Sequence, residues 1–190
     1  MTAPDVLDFW FGAPGSPQRG KPRAEWFKKS DAFDQEVRER FLPVYELAAG
    51  GKLAAWNESP HPLLALIIVC DQFPRNIFRN DARAFATDAQ ALAAAQRMVE
   101  RGWDMRLAPI ERQFAYLPFE HAEDAAMQQR SLELFERVTE DPALADVPVW
   151  ARKHFDVIAR FGRFPHRNAI LGRASTPAEI EFLKEPGSSF

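Results

Sequence analysis

Apolar side chains recur along this chain at steps of three and four residues, and in few places at steps of two. That period is the repeat of an α-helix with one buried stripe, and it leaves little of the chain for strands. The 15 prolines fall mostly between the periodic segments, where they start or stop helices. The fold expected is therefore all-α. The length of 190 residues suits one domain, taken as 1–190. A chain of that size buries roughly 70% of the surface its unfolded form exposes.

A short first helix fits 5–11, and 12–23, rich in Pro and Gly, reads as a loop. Ser30 or Asp31 can cap a helix that carries Phe33, Val37, Phe41 and Tyr45 in one stripe; Pro43 should kink it or break its ladder. The run 63–70 is apolar all round and reads as a central buried helix, although its length also suits a strand. Phe85, Ala89, Leu92, Gln96 and Val99 mark an amphipathic helix ended by Gly102. Pro109 opens a helix over 109–117. Met127, Ser131, Leu134, Phe135 and Val138 mark the next, and Trp150, His154, Ile158 and Phe161 another, closed by Gly162. Thr176-Pro-Ala-Glu179 is a capping box with Pro in the first turn. About nine helices with short links suggest stacked helical hairpins, an α-α superhelix or an irregular bundle.

The net charge is −3, which argues against a nucleic-acid coat, DNA included, and against a polybasic membrane binder. One cysteine, Cys70, forms no internal disulfide and no Cys-based zinc site, and a reducing cytoplasm is its simplest home. The longest apolar run is eight residues, far below the ~20 of a membrane span. The N-terminus lacks the basic and apolar regions of a signal peptide. Charge is segregated: 150–173 holds six Arg or Lys against Asp156, a net of +5, and 111–141 holds eight acids against three Arg, a net of −5.

Two near-motifs fail on chemistry. Gly15-Ser-Pro-Gln-Arg-Gly-Lys-Pro22 approaches a phosphate loop, but Pro22 replaces the hydroxyl that holds magnesium and Pro17 removes a backbone donor. Glu58 and His61 have a metal-ligand spacing, but Pro60 and Pro62 make that stretch a loop. His121 with Asp124 is at chelating spacing, yet a capping role outweighs it; His154 shares a face with Trp150 and Ile158 and reads as a packing histidine. No metal or cofactor is implied.

The polar information sits in two segments, each with Phe-Pro followed by Arg-Asn. The first places Asp71, Gln72, Arg75 and Asn76 at the end of the apolar helix; the second runs from Arg163 through His166, Arg167 and Asn168 to Arg173. In each, proline should stop the preceding helix. Arg-Asn would then open a turn suited to a carboxylate or phosphate. Alternatively, Arg75 and Arg167 pair with Asp71, Glu120 or Asp124 and only hold helix ends together.

The sequence also resembles the bacterial domain-of-unknown-function family numbered 924 (DUF924). The matching blocks are Val6-Leu-Asp-Phe-Trp-Phe11, Trp26-Phe27, Leu64-Ala-Leu-Ile-Ile-Val-Cys-Asp-Gln-Phe-Pro-Arg-Asn-Ile-Phe-Arg79, Ala84-Phe-Ala-Thr-Asp88, Tyr116-Leu-Pro-Phe-Glu-His-Ala-Glu-Asp124, Arg160-Phe-Gly-Arg-Phe-Pro-His-Arg-Asn-Ala-Ile-Leu-Gly-Arg173 and Ser175-Thr-Pro177. The resemblance implies a tetratricopeptide-like all-α fold and no established activity. It extends distantly to fungal arginine-containing cyclodipeptide synthases. That implies aminoacyl-tRNA as a donor and an acyl transfer, with no catalytic residue carried over.

The expectation is a cleft gathering Asp71, Gln72, Arg75 and Asn76, then Glu120 and Asp124, then Arg163, Arg167 and Asn168. The arginines would hold an anion, and Asp71, Glu120 or Asp124 an amine or guanidinium. His121, His166 or Asp71 would move a proton. Its ligand would be small and charged, an aminoacyl group on tRNA being one such. Cys70, at the end of an apolar helix, reads as inert packing rather than a nucleophile. The rival reading is a peptide-binding or scaffolding module with a long groove and no catalysis.

Overall fold

The computed structural model describes residues 1–189, and among them it contains eight α-helices and no strand. These are α1 Ala3–Phe11, α2 Asp31–Ala49, α3 Pro60–Ile77, α4 Asp88–Glu100, α5 Pro109–Glu120, α6 Ala125–Phe135, α7 Val147–Phe161 and α8 Pro177–Phe182. Consecutive helices from α2 to α7 pack on one another, as in stacked hairpins. Helix α3 also touches α1 and α5, so it is the hub. It is buried on every side from Leu63 to Pro74 except at Leu66, and its all-round apolarity produces that position. No described helix is long and apolar enough to cross a membrane.

Local chemistry sets the boundaries. Ser30 caps α2, accepting from the Phe33 amide at 3.3 Å, and Thr176 with Glu179 forms the capping box of α8. Gly162 closes α7 at φ +70°, a conformation that costs glycine nothing. A core of aromatic rings joins α1, α2, α3 and α5, with Trp10 5.5 Å from Phe114 and Phe41 4.6 Å from Phe73. A smaller cluster of Val157, Ile158 and Phe164 seats the turn after α7.

Prolines depart from expectation in three helices. Pro43 does not break α2, because the Glu39 carbonyl it leaves unpaired lies on the exposed face. Helix α5 runs through Pro118 to Glu120, past the expected end at 117. Most consequentially, Pro74 does not stop α3. It lacks the N–H that would bond to the Cys70 carbonyl, and the Thr87 hydroxyl donates there instead, at 2.6 Å. Nor does Pro165 stop α7; Gly162 has done so, and Pro165–Arg167 forms a 3-10 turn. Pro60 and His61 lie in the first turn of α3, not in a loop. Phe85 lies in the 3-10 turn Ala82–Phe85, before α4 begins.

Thr87→Val keeps the shape but removes the hydroxyl, leaving a buried carbonyl unpaired. It is expected to cost about 1–3 kcal/mol in urea denaturation. A loss below about 0.5 kcal/mol would mean that the carbonyl has another partner.

Candidate functional site

The Thr87 hydrogen bond fixes more than a proline. It holds the start of α4 against the last turns of α3, and so delivers Asp88 to Arg75. The Arg75 guanidinium spans both Asp88 oxygens, at 3.0 and 3.2 Å. Asp71 and Arg75, four apart on α3, share one helix face; Arg75 Nη1 is 3.4 Å from Asp71 Oδ1 and also donates to the Asp71 carbonyl. From the turn after α7, Arg167 Nη1 reaches Asp88 Oδ2 at 3.3 Å. The two Phe-Pro segments therefore meet across Asp88.

Arg167 is 6% exposed. Its guanidinium lies between the rings of Phe85 and Phe164, 4.7 and 4.6 Å from their centroids. Among the described residues Asp88 is the acceptor of its one side-chain hydrogen bond, and Nε is buried without a partner. Burial and the neighbouring Arg75 charge push its pKa down to about 10.

The end of α5 brings two further acid–base pairs. His121 Nδ1 lies 2.8 Å from Asp71 Oδ1. Burial would raise the Asp71 carboxyl, but Arg75 and His121, with a hydrogen bond from Gln72, hold it well below the usual range. Asp71 is therefore an acceptor, His121 donates through Nδ1, and the neutral ring keeps its lone pair on Nε2. Glu120, 4% exposed, has Oε1 3.2 Å from His154 Nδ1, while Oε2 is buried with no partner among the described residues. Burial, then the charge of Asp71, pushes Glu120 up to about 8, so it holds its proton at neutral pH. His154 donates from Nδ1 to the Trp150 carbonyl at 2.9 Å, and burial pushes it down to about 3. His166, partly buried and 5.6 Å ring to ring from Phe164, is pushed down to about 4 by burial and by Arg167.

Asp71, Gln72, Arg75, Glu120, His121, His166 and Arg167 thus lie in one neighbourhood. The others named from the sequence do not. Asn76 donates to Asp34 at 2.7 Å, alongside Arg79, and ties α3 to α2. Asp124 caps α6 through the Met127 amide at 2.9 Å. Arg163 pairs with Glu179 at 2.6 and 2.8 Å and joins the turn after α7 to α8. Asn168 bonds Ser175 and Arg173, both at 3.0 Å, inside its own turn. Cys70 is buried, and burial raises its thiol to about 12, which leaves it without nucleophilic character at neutral pH.

Sequence reasoning passed over Asp88 and took His154 for packing alone. Asp88 ends the block Ala84-Phe-Ala-Thr-Asp88, whose Phe85 and Thr87 also serve the site; that density of polar and aromatic residues before a helix was the available signal.

Comparison with known proteins gives a family and a fold. A family model described as bacterial protein of unknown function (DUF924) matches residues 6–187. The solved structure of a protein of unknown function, ATU0120 from Agrobacterium tumefaciens, is similar over 97% of each chain, at 41% identity and a TM-score of 0.83. No curated protein matches the chain.

Proposed function

The chain belongs to the DUF924 family of bacterial proteins of unknown function, and from its site we propose that it binds a small ligand through a carboxylate or phosphate and exchanges a proton with it. The observation that carries this reading is Arg167. A guanidinium has five N–H donors, and this one, held by two aromatic faces, gives one to a described residue. An unpaired buried donor costs about 1–3 kcal/mol, which a ligand oxygen would recover. Arg75 and Asp88, each with a side chain 22% exposed, and His166 form the less buried side from which a ligand would approach. His121, oriented by Asp71, is the base of the site; Glu120, still protonated at neutral pH, is its acid.

Thermal melts against a panel of amino acids, nucleotides and aminoacyl-tRNA test the reading. An aminoacyl group on tRNA, the ligand that the cyclodipeptide-synthase resemblance implies, falls in this class and forms its own arm. At about 100 times its Kd, a binder adds about 2.7 kcal/mol, a rise of roughly 5–10 °C for a chain of this size. Arg167→Leu is expected to abolish that response. Its ligand-free melt should stay near that of the wild type, because a poorly compensated buried cation is replaced by an apolar side chain. A panel that shifts nothing, or a shift that survives Arg167→Leu, would overturn the reading.

A further inference from the structure

Among the described residues, the charges around the site balance before any ligand arrives. Asp71 and Asp88 face Arg75 and Arg167, and Glu123 is paired with Arg173 at 2.6 and 2.9 Å. The groups left to titrate among the described residues here are Glu120 and three of the chain's four histidines. Those imidazoles follow one another around Phe164: His121 to His154 at 6.2 Å, His154 to Phe164 at 5.6 Å, Phe164 to His166 at 5.6 Å.

A monoanion entering this site would leave it with one uncompensated negative charge, where water can screen it only from the less buried side. Isolated buried charge is costly, and proteins relieve it by moving a proton. Resting on the anion site proposed above, we infer that the ligand is taken up together with a proton, which settles on His121. Two features of His121 favour it over the other two imidazoles. Asp71 is already hydrogen-bonded to its Nδ1 at 2.8 Å, ready to hold an imidazolium. Its ring is in reach of the fields of Arg75 and Arg167, which oppose protonation while the site is empty and are neutralised by the anion. His154, by contrast, is tied to the Trp150 carbonyl, and at His166 burial and the adjoining charge of Arg167 oppose protonation. The bound state is then an anion held between guanidinium and imidazolium, and the proton on Nε2 is positioned for return to the ligand.

Calorimetric titration of the whole protein with acetate, and separately with inorganic sulfate, counts the protons. Each is run at pH 7.2 in Bis-Tris and in Tris, whose ionisation enthalpies differ. The expected result is an apparent enthalpy that changes with the buffer, corresponding to between about half a proton and one proton taken up per anion, with affinity falling up to tenfold per pH unit on the alkaline side. His121→Gln is expected to bind the anion more weakly and with no buffer dependence. Binding with equal enthalpies in the two buffers would overturn the proton uptake and leave the anion site standing. A buffer dependence that persists in His121→Gln would overturn the assignment to His121. No binding of either anion would remove the anion site itself, and the inference with it.

Discussion

Replacing Asp88 with alanine is expected to destabilise the protein by about 2–3 kcal/mol in urea denaturation at pH 7. Asp88 is the carboxylate that Arg75 and Arg167 share, at 3.0, 3.2 and 3.3 Å. Arg75 keeps Asp71 at 3.4 Å, but Arg167 has no other carboxylate among the described residues within ion-pair distance. Removing one member of a buried pair costs about 3–5 kcal/mol because a charge is left buried and alone. The Asp88 side chain is 22% exposed, so water recovers part of that and the figure falls at or just below the lower end. Combining Asp88→Ala with Arg167→Leu should restore more than half of the loss, since the stranded cation is gone. A single mutant within about 0.5 kcal/mol of the wild type, or a double mutant that is additive, would show that the two side chains do not depend on each other.

The second large effect is a stability maximum near pH 6.5. Glu120 ionises at about 8 in the folded protein, against an ordinary value of 4.5. Between those values the unfolded chain has released a proton that the folded one keeps, so Glu120 makes stability fall as pH rises. His154 and His166 act oppositely. Their folded values of about 3 and 4 lie below the ordinary 6.5, so the unfolded chain holds their protons longer and stability is lost as pH falls below 6.5. Burial lowers His121 in the same direction. The two histidines outweigh Glu120 between pH 4.5 and 6.5; Glu120 outweighs them above 6.5 and acts alone once the unfolded chain's imidazoles have lost their protons, above about pH 7.5. One net proton corresponds to about 1.4 kcal/mol per pH unit, and the unfolded chain's imidazoles, still half protonated at pH 6.5, offset part of it, so the wild type should lose about 1 kcal/mol from pH 6.5 to 8. Glu120→Gln, and Glu120→Met of similar shape, should flatten that alkaline limb and leave the acid limb in place. A wild-type profile that keeps rising to pH 8 would contradict a protonated Glu120.

The helices were readable because their causes are local. The stripe of Phe33, Val37 and Phe41, the Ser30 cap and the capping box at Thr176 each act within a few residues, and the uniform apolarity of 63–70 has one solution inside an all-helical chain. What escaped depended on distant partners. Whether Pro74 stops a helix is decided by Thr87, which supplies the missing donor from another element. Asn76 and Arg163 look like members of the cluster in sequence, but Asp34 and Glu179 draw them elsewhere. Asp88 carries no motif of its own and matters because two arginines converge on it. His154 shares an apolar stripe and is buried, as its spacing suggested, yet the same burial sets it beside Glu120.

Anomalous diffraction shows whether Arg167 receives an anion. Crystals grown without sulfate or phosphate and soaked in selenate should show a selenium peak within hydrogen-bond distance of the Arg167 guanidinium, and Arg167→Leu crystals soaked alongside should lack it. Selenium found only on exposed cations such as Arg152 and Lys153, with the guanidinium still held by Asp88 alone, would mean that Arg167 takes no anion.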